Sequence, residues 1–154
     1  MILIREATFD DVDEIIDLFI STVKAVNKRD YSAEQIAAWT SAKDRSIWCK
    51  KIESQHFYVA NIDDQIVGFS SIDDTGYVDF LYVHKDFQGI GIAKALLEEI
   101  EHKARKLQLT RIHSSVSITA QPFFKSRGFE TYNQEHKELK GIAFTNALME
   151  KVLQ

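Results

Sequence analysis

Apolar positions change period several times along this chain, and each change marks an element. Ile2, Ile4 and Ala7 spell a short opening strand. Thr8 or Asp10 can cap the next element, because either side chain offers an oxygen to the free backbone N–H groups of a first helical turn. Val12, Ile15, Ile16, Phe19 and Val23 then recur at three- and four-residue spacing. This predicts an amphipathic helix, with Asp11, Asp13, Glu14 and Asp17 near its positive end. Ser32 to Lys51 reads as one or two further helices holding Trp39 and Trp48, and Ser32 with Gln35 has capping-box spacing.

The period then becomes strand-like. His56 to Ile62, Gln65 to Asp73 and Tyr77 to Val83 are separated only by Asp63-Asp64 and by Asp74-Thr75-Gly76, which predicts an antiparallel meander. A glycine-containing loop leads into a strong helix with Ile92, Ala93, Leu96, Leu97, Ile100, Ala104 and Leu107 on one side. Glu99–Lys103 and Glu101–Arg105 pair at i,i+4 on the other side. Arg111 to Val116 is a strand, Thr119 to Arg127 a short helix ended by Gly128, and the tail gives two strands around Gly141. The element order β-α-α-β-β-β-α-β-α-β-β predicts a mixed α/β sheet.

Composition narrows the class. A length of 154 residues with 45% hydrophobic and 27% charged positions fits one globular domain over 1–154. The net charge of −4 disfavours a nucleic-acid-binding module, whose footprint is usually basic. One cysteine, Cys49, excludes an intramolecular disulfide framework and a Cys-based zinc site; it reads as a small buried hydrophobe. The five histidines (His56, His84, His102, His113 and His136) lack metal-ligand spacing, so no metal is expected. The N-terminus lacks the apolar core of a signal peptide, and no apolar run approaches the roughly 20 residues that span a bilayer. The expectation is a soluble cytoplasmic protein with no nucleic-acid or membrane partner.

The chemistry concentrates at the junction of strand, glycine loop and helix. A helix N-terminus presents unpaired N–H groups and partial positive charge, which favours an anion such as a phosphate. Gly89 and Gly91 carry no Cβ and let a ligand approach the backbone, although glycine also serves such turns for geometry alone. Two phosphate loops are excluded. The dinucleotide fingerprint needs Gly or Ala where Lys94 stands, and G-x-x-x-x-G-K-[ST] occurs nowhere.

Gln88-Gly89-Ile90-Gly91-Ile92-Ala93 resembles the Q/R-x-x-G-x-G/A signature of the GNAT superfamily of acetyl-CoA-dependent N-acetyltransferases, preceded by a strand end at Leu81-Tyr82-Val83. Ala120 to Phe129 is similar to the family's A-x-x-F-Y-x-x-x-G-F block, and the element order matches throughout. Tyr31 to Ile36 with Ala38-Trp39, Tyr77-Val78-Asp79, Ser117 to Ala120 with Pro122-Phe123-Phe124, and Thr145-Asn146 narrow the resemblance to the bacterial YafP-type subgroup.

The resemblance implies a mostly antiparallel central sheet, flanked by helices and splayed between the strand ending at Val83 and the strand Arg111 to Val116. Acetyl-CoA would lie in that gap as co-substrate. Backbone N–H groups of Gln88, Gly89, Ile90, Gly91, Ile92, Ala93 and Lys94 would hold its diphosphate. The Leu81-Tyr82-Val83 strand end would pair with the pantetheine arm through the backbone of Leu81 and Val83, an extra-strand mode of binding. Ser117 and Phe123 would flank the arm, Ser117 standing where the family often has an Asn.

Acyl transfer to an amine needs a neutral amine, a stabilised oxyanion and a proton for the leaving thiolate. The Val83 N–H is an oxyanion donor on this reading, and Asp79 and Tyr77 share the Val83 face by two-residue alternation. Asp79 is the candidate base; the competing reading is a solvated or salt-bridged strand residue. The Tyr that protonates the thiolate in many members is Phe124 here, so the proton is expected from Ser117, Tyr82, Tyr77, water or the attacking ammonium. Lys85 replaces the usual Pro in the loop.

Tyr31, Trp39 and Trp48, with Asp79, are the candidates to line the acceptor pocket, because aromatic walls suit an apolar or aromatic amine. A Trp on an early helix more often belongs to the core, so Tyr31, in the loop before the helix, is the better candidate of the three aromatics. The function expected is acetylation of a small-molecule primary amine. A CoA-binding sensor and acetylation of protein lysines or N-termini are the alternatives, and the family leaves a homodimer open.

Overall fold

A computed structural model describes all of residues 1–154. Seven strands are β1 (Leu3–Glu6), β2 (His56–Ile62), β3 (Gln65–Ile72), β4 (Val78–Val83), β5 (Arg111–Val116), β6 (Glu130–Leu139) and β7 (Ile142–Val152). Five α-helices are α1 (Val12–Val26), α2 (Ala33–Trp39), α3 (Arg45–Ser54), α4 (Ile92–Lys106) and α5 (Gln121–Ser126). The expected strands and helices are all present, with the short helix after β5 confined to α5 and the third meander strand beginning one residue after Tyr77.

Local chemistry accounts for the boundaries. Asp11 accepts the Thr8 N–H at 2.8 Å and two guanidinium bonds from Arg5 at 2.8 and 2.9 Å, which fixes the start of α1 against the end of β1. Ser32 and Gln35 form the expected reciprocal capping box at α2. Asp63 and Asp64 both adopt positive φ in the two-residue β2–β3 turn, and Lys140 and Gly141 do the same between β6 and β7, the geometry that matches strand twist.

Strands β1-β2-β3-β4 form one antiparallel sheet and β5-β7-β6 another. The two meet where Tyr77 and His113 make a parallel bridge and the His113 N–H donates to Gly76 O at 2.9 Å. Gly76 has φ +94°, and a Cβ there would lie 2.9 Å from Arg111 O, so only glycine lets the strands close at this end. The splayed sheet is thus pinched at one end only.

Two cores sit on opposite faces. Leu96, Leu97 and Ile100 of α4 pack with Val78, Ile112 and Met149; Val12, Ile15 and Phe19 of α1 pack with Trp48, Phe57 and Phe69. A small third cluster joins Tyr31, Ala38 and Phe144, seating α2 on β7.

Candidate active site

The end of β4 sets one wall of the site. The His84 N–H donates to Val67 O at 2.8 Å, and the β3–β4 register pairs Tyr82 with Phe69 and Phe80 with Ser71. Hydrogen-bonding direction alternates residue by residue in an antiparallel ladder. Tyr82 and Phe80 therefore bond toward β3, while the backbone of Leu81 and Val83 faces the opposite, free edge. Val83 O already accepts the Gln88 amide at 2.7 Å and the Thr22 hydroxyl at 3.2 Å, which ties the glycine loop to the strand end. At the head of α4, Gly91 is the N-cap with φ +96° and no side-chain cap. The first N–H groups of this 15-residue helix are left without intrahelical partners. Gly89 and Gly91 would meet no atom with an added Cβ, so their role is the left-handed backbone.

The free β4 edge and the α4 N-terminus open into one cleft of about 900 Å³. Tyr31, Trp39, Tyr77, Asp79, Leu81, Tyr82, Val83, Gln88, Gly89, Gly91, Ile92, Ala93, Lys94, Ser117 and Phe123 all line it. Ile90 does not; its side chain is exposed to solvent, so only its backbone can contribute. Trp48 lines the cleft but is also core, with its indole N–H donated to Ala42 O at 2.9 Å.

The alternation that would set Asp79 and Tyr77 on the Val83 face fails at a β-bulge. Ser71 pairs with Phe80 but Ile72 with Val78, so Asp79 is an extra residue in β4. Val78 joins Leu81 and Val83 on the α4 side, whereas Phe80 and Tyr82 pack on the α1–α3 side. The Asp79 carboxylate turns to α3, where Oδ2 accepts Lys51 Nζ at 2.7 Å and Gln55 Nε2 at 2.9 Å. Oδ1 carries no hydrogen bond from the protein. Gln55 Oε1 in turn accepts the buried Ser71 hydroxyl at 2.6 Å. Tyr77 stands outside the strand at the pinched end, its ring 5.4 Å from His113.

The opposite wall is aromatic. The Trp39 ring lies 5.1 Å from Tyr31 and 6.2 Å from Phe144, and Phe19 lies 5.2 Å from Tyr82. Edge-to-face contacts of this kind make a rigid apolar lining. Tyr31 accepts the Ile118 N–H at 2.8 Å, so the α1–α2 connection reaches across the cleft to the β5–α5 loop. Ser117 accepts the Ala120 N–H at 3.3 Å at the start of α5, and Phe124 is buried.

Three phenols face this space, and burial raises all three. Tyr77 is pushed up to about 12, with Asp79 and Glu135 adding to the effect of desolvation. Tyr82 is raised by burial, offset in part by its hydrogen bond with Trp39. Tyr31 is raised by burial, offset in part by hydrogen bonds from Ile118 and Ser117. All three remain O–H donors at neutral pH.

Sequence reasoning missed Lys51, Gln55, Thr22 and Phe144. The first two stand four apart and meet Asp79 only through the bulge, which no local pattern announces. No three His, Cys, Asp or Glu side chains are grouped so as to hold a metal ion.

Residues 27–153 match the acetyltransferase (GNAT) domain family. This chain belongs to that family. It is 35% identical over 148 residues to YafP of Escherichia coli strain K12, an uncharacterized N-acetyltransferase, covering 96% of this chain and 94% of YafP. The subgroup likeness seen in the residues therefore extends along nearly the whole chain. A GCN5-related N-acetyltransferase of Rhodopseudomonas palustris superposes with a TM-score of 0.95 at 26% identity, covering 98% of this chain and 95% of that one. The fold is shared with the PaiA N-acetyltransferase of Thermoplasma acidophilum, crystallised with coenzyme A, at a TM-score of 0.83 and 21% identity over 99% of each chain.

Proposed function

We propose that the protein, as one domain over residues 1–154, transfers the acetyl group of acetyl-CoA to a primary amine of a small molecule. One observation carries this reading: the unpaired β4 edge, the uncapped head of α4 and the Asp79 carboxylate open onto a single cleft. The residues fit the donor. Free N–H groups from Gln88 to Lys94 suit a diphosphate, and the outward backbone of Leu81 and Val83 suits the amides of a pantetheine arm. Acetyl-CoA supplies an activated acetyl group when bound.

The chain's own groups do the rest. Leu81 and Val83 hold the arm in line, and the Val83 N–H donates to the carbonyl oxygen as charge develops there. Asp79 Oδ1 accepts a proton of the acceptor nitrogen, while Lys51 and Gln55 keep the carboxylate aimed. Ser117 and Phe123 flank the arm. Tyr31, Trp39 and Tyr82 line the acceptor side, and this aromatic lining favours a small apolar amine over a protein chain.

Thiol release from acetyl-CoA with a panel of amines tests the proposal. Asp79→Asn is expected to lower kcat/KM at least roughly tenfold without loss of acetyl-CoA affinity, the usual range for a positioned base. Unchanged turnover removes Asp79 from the chemistry. Phe124, buried and without a hydroxyl, favours a second reading as a CoA-binding sensor. Binding without turnover across the panel would establish that one.

A further inference from the structure

Phe124, buried in the cleft wall, offers no hydroxyl to a departing sulfur. A different phenol occupies the neighbourhood. Tyr31 crosses from the α1–α2 connection to the head of the β5–α5 loop, where its oxygen accepts the Ile118 N–H at 2.8 Å. Asp30 reinforces this crossing by accepting the Thr119 hydroxyl at 2.7 Å, so two successive residues clamp the connection to that loop. Tyr31 is buried against Trp39 and Phe144, which fixes its ring. It lines the same cleft as Ser117, Phe123 and Phe124.

We infer that Tyr31 is the general acid of the reaction, giving its hydroxyl proton to the departing sulfur. The inference rests on the acetyltransferase reading above. Three observations favour Tyr31 over the other phenols. Its oxygen already accepts a backbone N–H, which steadies the phenolate left behind. Tyr82 packs its ring on Phe19 and Phe69, on the α1 side of the sheet. Tyr77 sits at the pinched end of the splay, beside His113 and below the free β4 edge. Burial raises Tyr31, which keeps it protonated and ready to donate; Asp30 and Tyr82 are the titratable neighbours.

The proton account balances. The new bond joins the acceptor nitrogen to the acetyl carbon, and the carbon–sulfur bond breaks with its electron pair on sulfur. Tyr31 gives that sulfur a proton and keeps the O–H electron pair as phenolate, held by the Ile118 N–H. Asp79 takes the proton lost by nitrogen, and its return through water to Tyr31 restores both groups. The products are an amide and a free thiol.

Calorimetry with CoA and desulfo-CoA reads the contact without turnover. The intact protein should bind CoA more tightly than desulfo-CoA, and Tyr31→Phe should bind the two alike while retaining desulfo-CoA affinity. In thiol release Tyr31→Phe should lower kcat at least roughly tenfold, within the range for a general acid. Adding Phe124→Tyr to Tyr31→Phe should restore part of it. Replacing Tyr31 with 2,3-difluorotyrosine keeps the ring and every partner but acidifies the phenol. Because the donor must be protonated, the alkaline limb of kcat should then move to lower pH. An unchanged CoA preference in Tyr31→Phe, or an unmoved alkaline limb, overturns the inference. If neither CoA nor desulfo-CoA binds the intact protein, the acetyltransferase reading itself fails, a result distinct from either of these.

Discussion

The two walls of the cleft are built from different materials. On the function proposed, the donor wall is backbone: the outward amides of Leu81 and Val83, the left-handed Gly91 and the uncapped start of α4. The acceptor wall is side chains: Trp39 edge to face with Tyr31 and Phe144, and Asp79 pinned by Lys51 and Gln55. Backbone groups are the same whatever the residue, so a wall made of them recognises what is common to every acetyl-CoA. Side chains differ from protein to protein, so on the same proposal the facing wall sets acceptor choice. A single scaffold can thus keep its donor and change its amine.

Substitutions that touch one wall at a time test this division. The largest effect belongs to the donor side. Gly91→Val places a β-branched residue at φ +96°, where L side chains are strained, although no neighbouring atom is in its way. The helix head must re-form, and acetyl-CoA affinity is expected to fall about tenfold or more, since each lost charge-assisted amide bond is worth roughly 1.5–3 kcal/mol. Calorimetry reads this directly; retained affinity would show that the α4 head is not the diphosphate site. Next comes Trp39→Leu, which removes the ring between Tyr31 and Phe144. Acceptor KM should rise several-fold, on the scale of an aromatic contact worth roughly 0.5–1.5 kcal/mol, with acetyl-CoA KM unchanged. An equal rise in both constants would dissolve the distinction between the walls.

The smallest effect lies outside the cleft, at the foot of α1. Asp11 holds Arg5 and the Thr8 N–H, and the Arg5 bond keeps its carboxyl below the ordinary range. A lowered folded-state value stabilises the protein above the unfolded carboxylate's, near 3.9, and that contribution disappears as pH falls through the lowered value. Asp11→Asn should cost about 1 kcal/mol at neutral pH, the usual scale for a lost cap, and should flatten the acid limb of thermal stability. Melting followed across pH checks both, and acetyl-CoA affinity should not change.

Much of this arrangement was legible in the chain. The capping pair Ser32–Gln35, the two-residue turns and the apolar stripe of α4 are local features, and each appears where the pattern placed it. The glycine loop was legible for the same reason, because a strand, a left-handed turn and a helix head are neighbours in sequence. Asp79 was only half legible. Its residue type and strand were evident, but an extra residue in β4 reversed the face it occupies. Tyr31 was visible as an aromatic residue ahead of a helix, and nothing nearby indicated that its oxygen meets Ile118.

The sequence by itself determined the element order, the caps and turns, and the strand–loop–helix junction that presents bare amides, because these depend on backbone conformation over a few residues. Only the tertiary structure decided which side chains share the cleft. Lys51 of α3 and Gln55 at its C-cap reach Asp79, and Tyr31 reaches the β5–α5 loop from far along the chain. Such meetings depend on how helices settle on a splayed sheet, and no spacing along the chain records that.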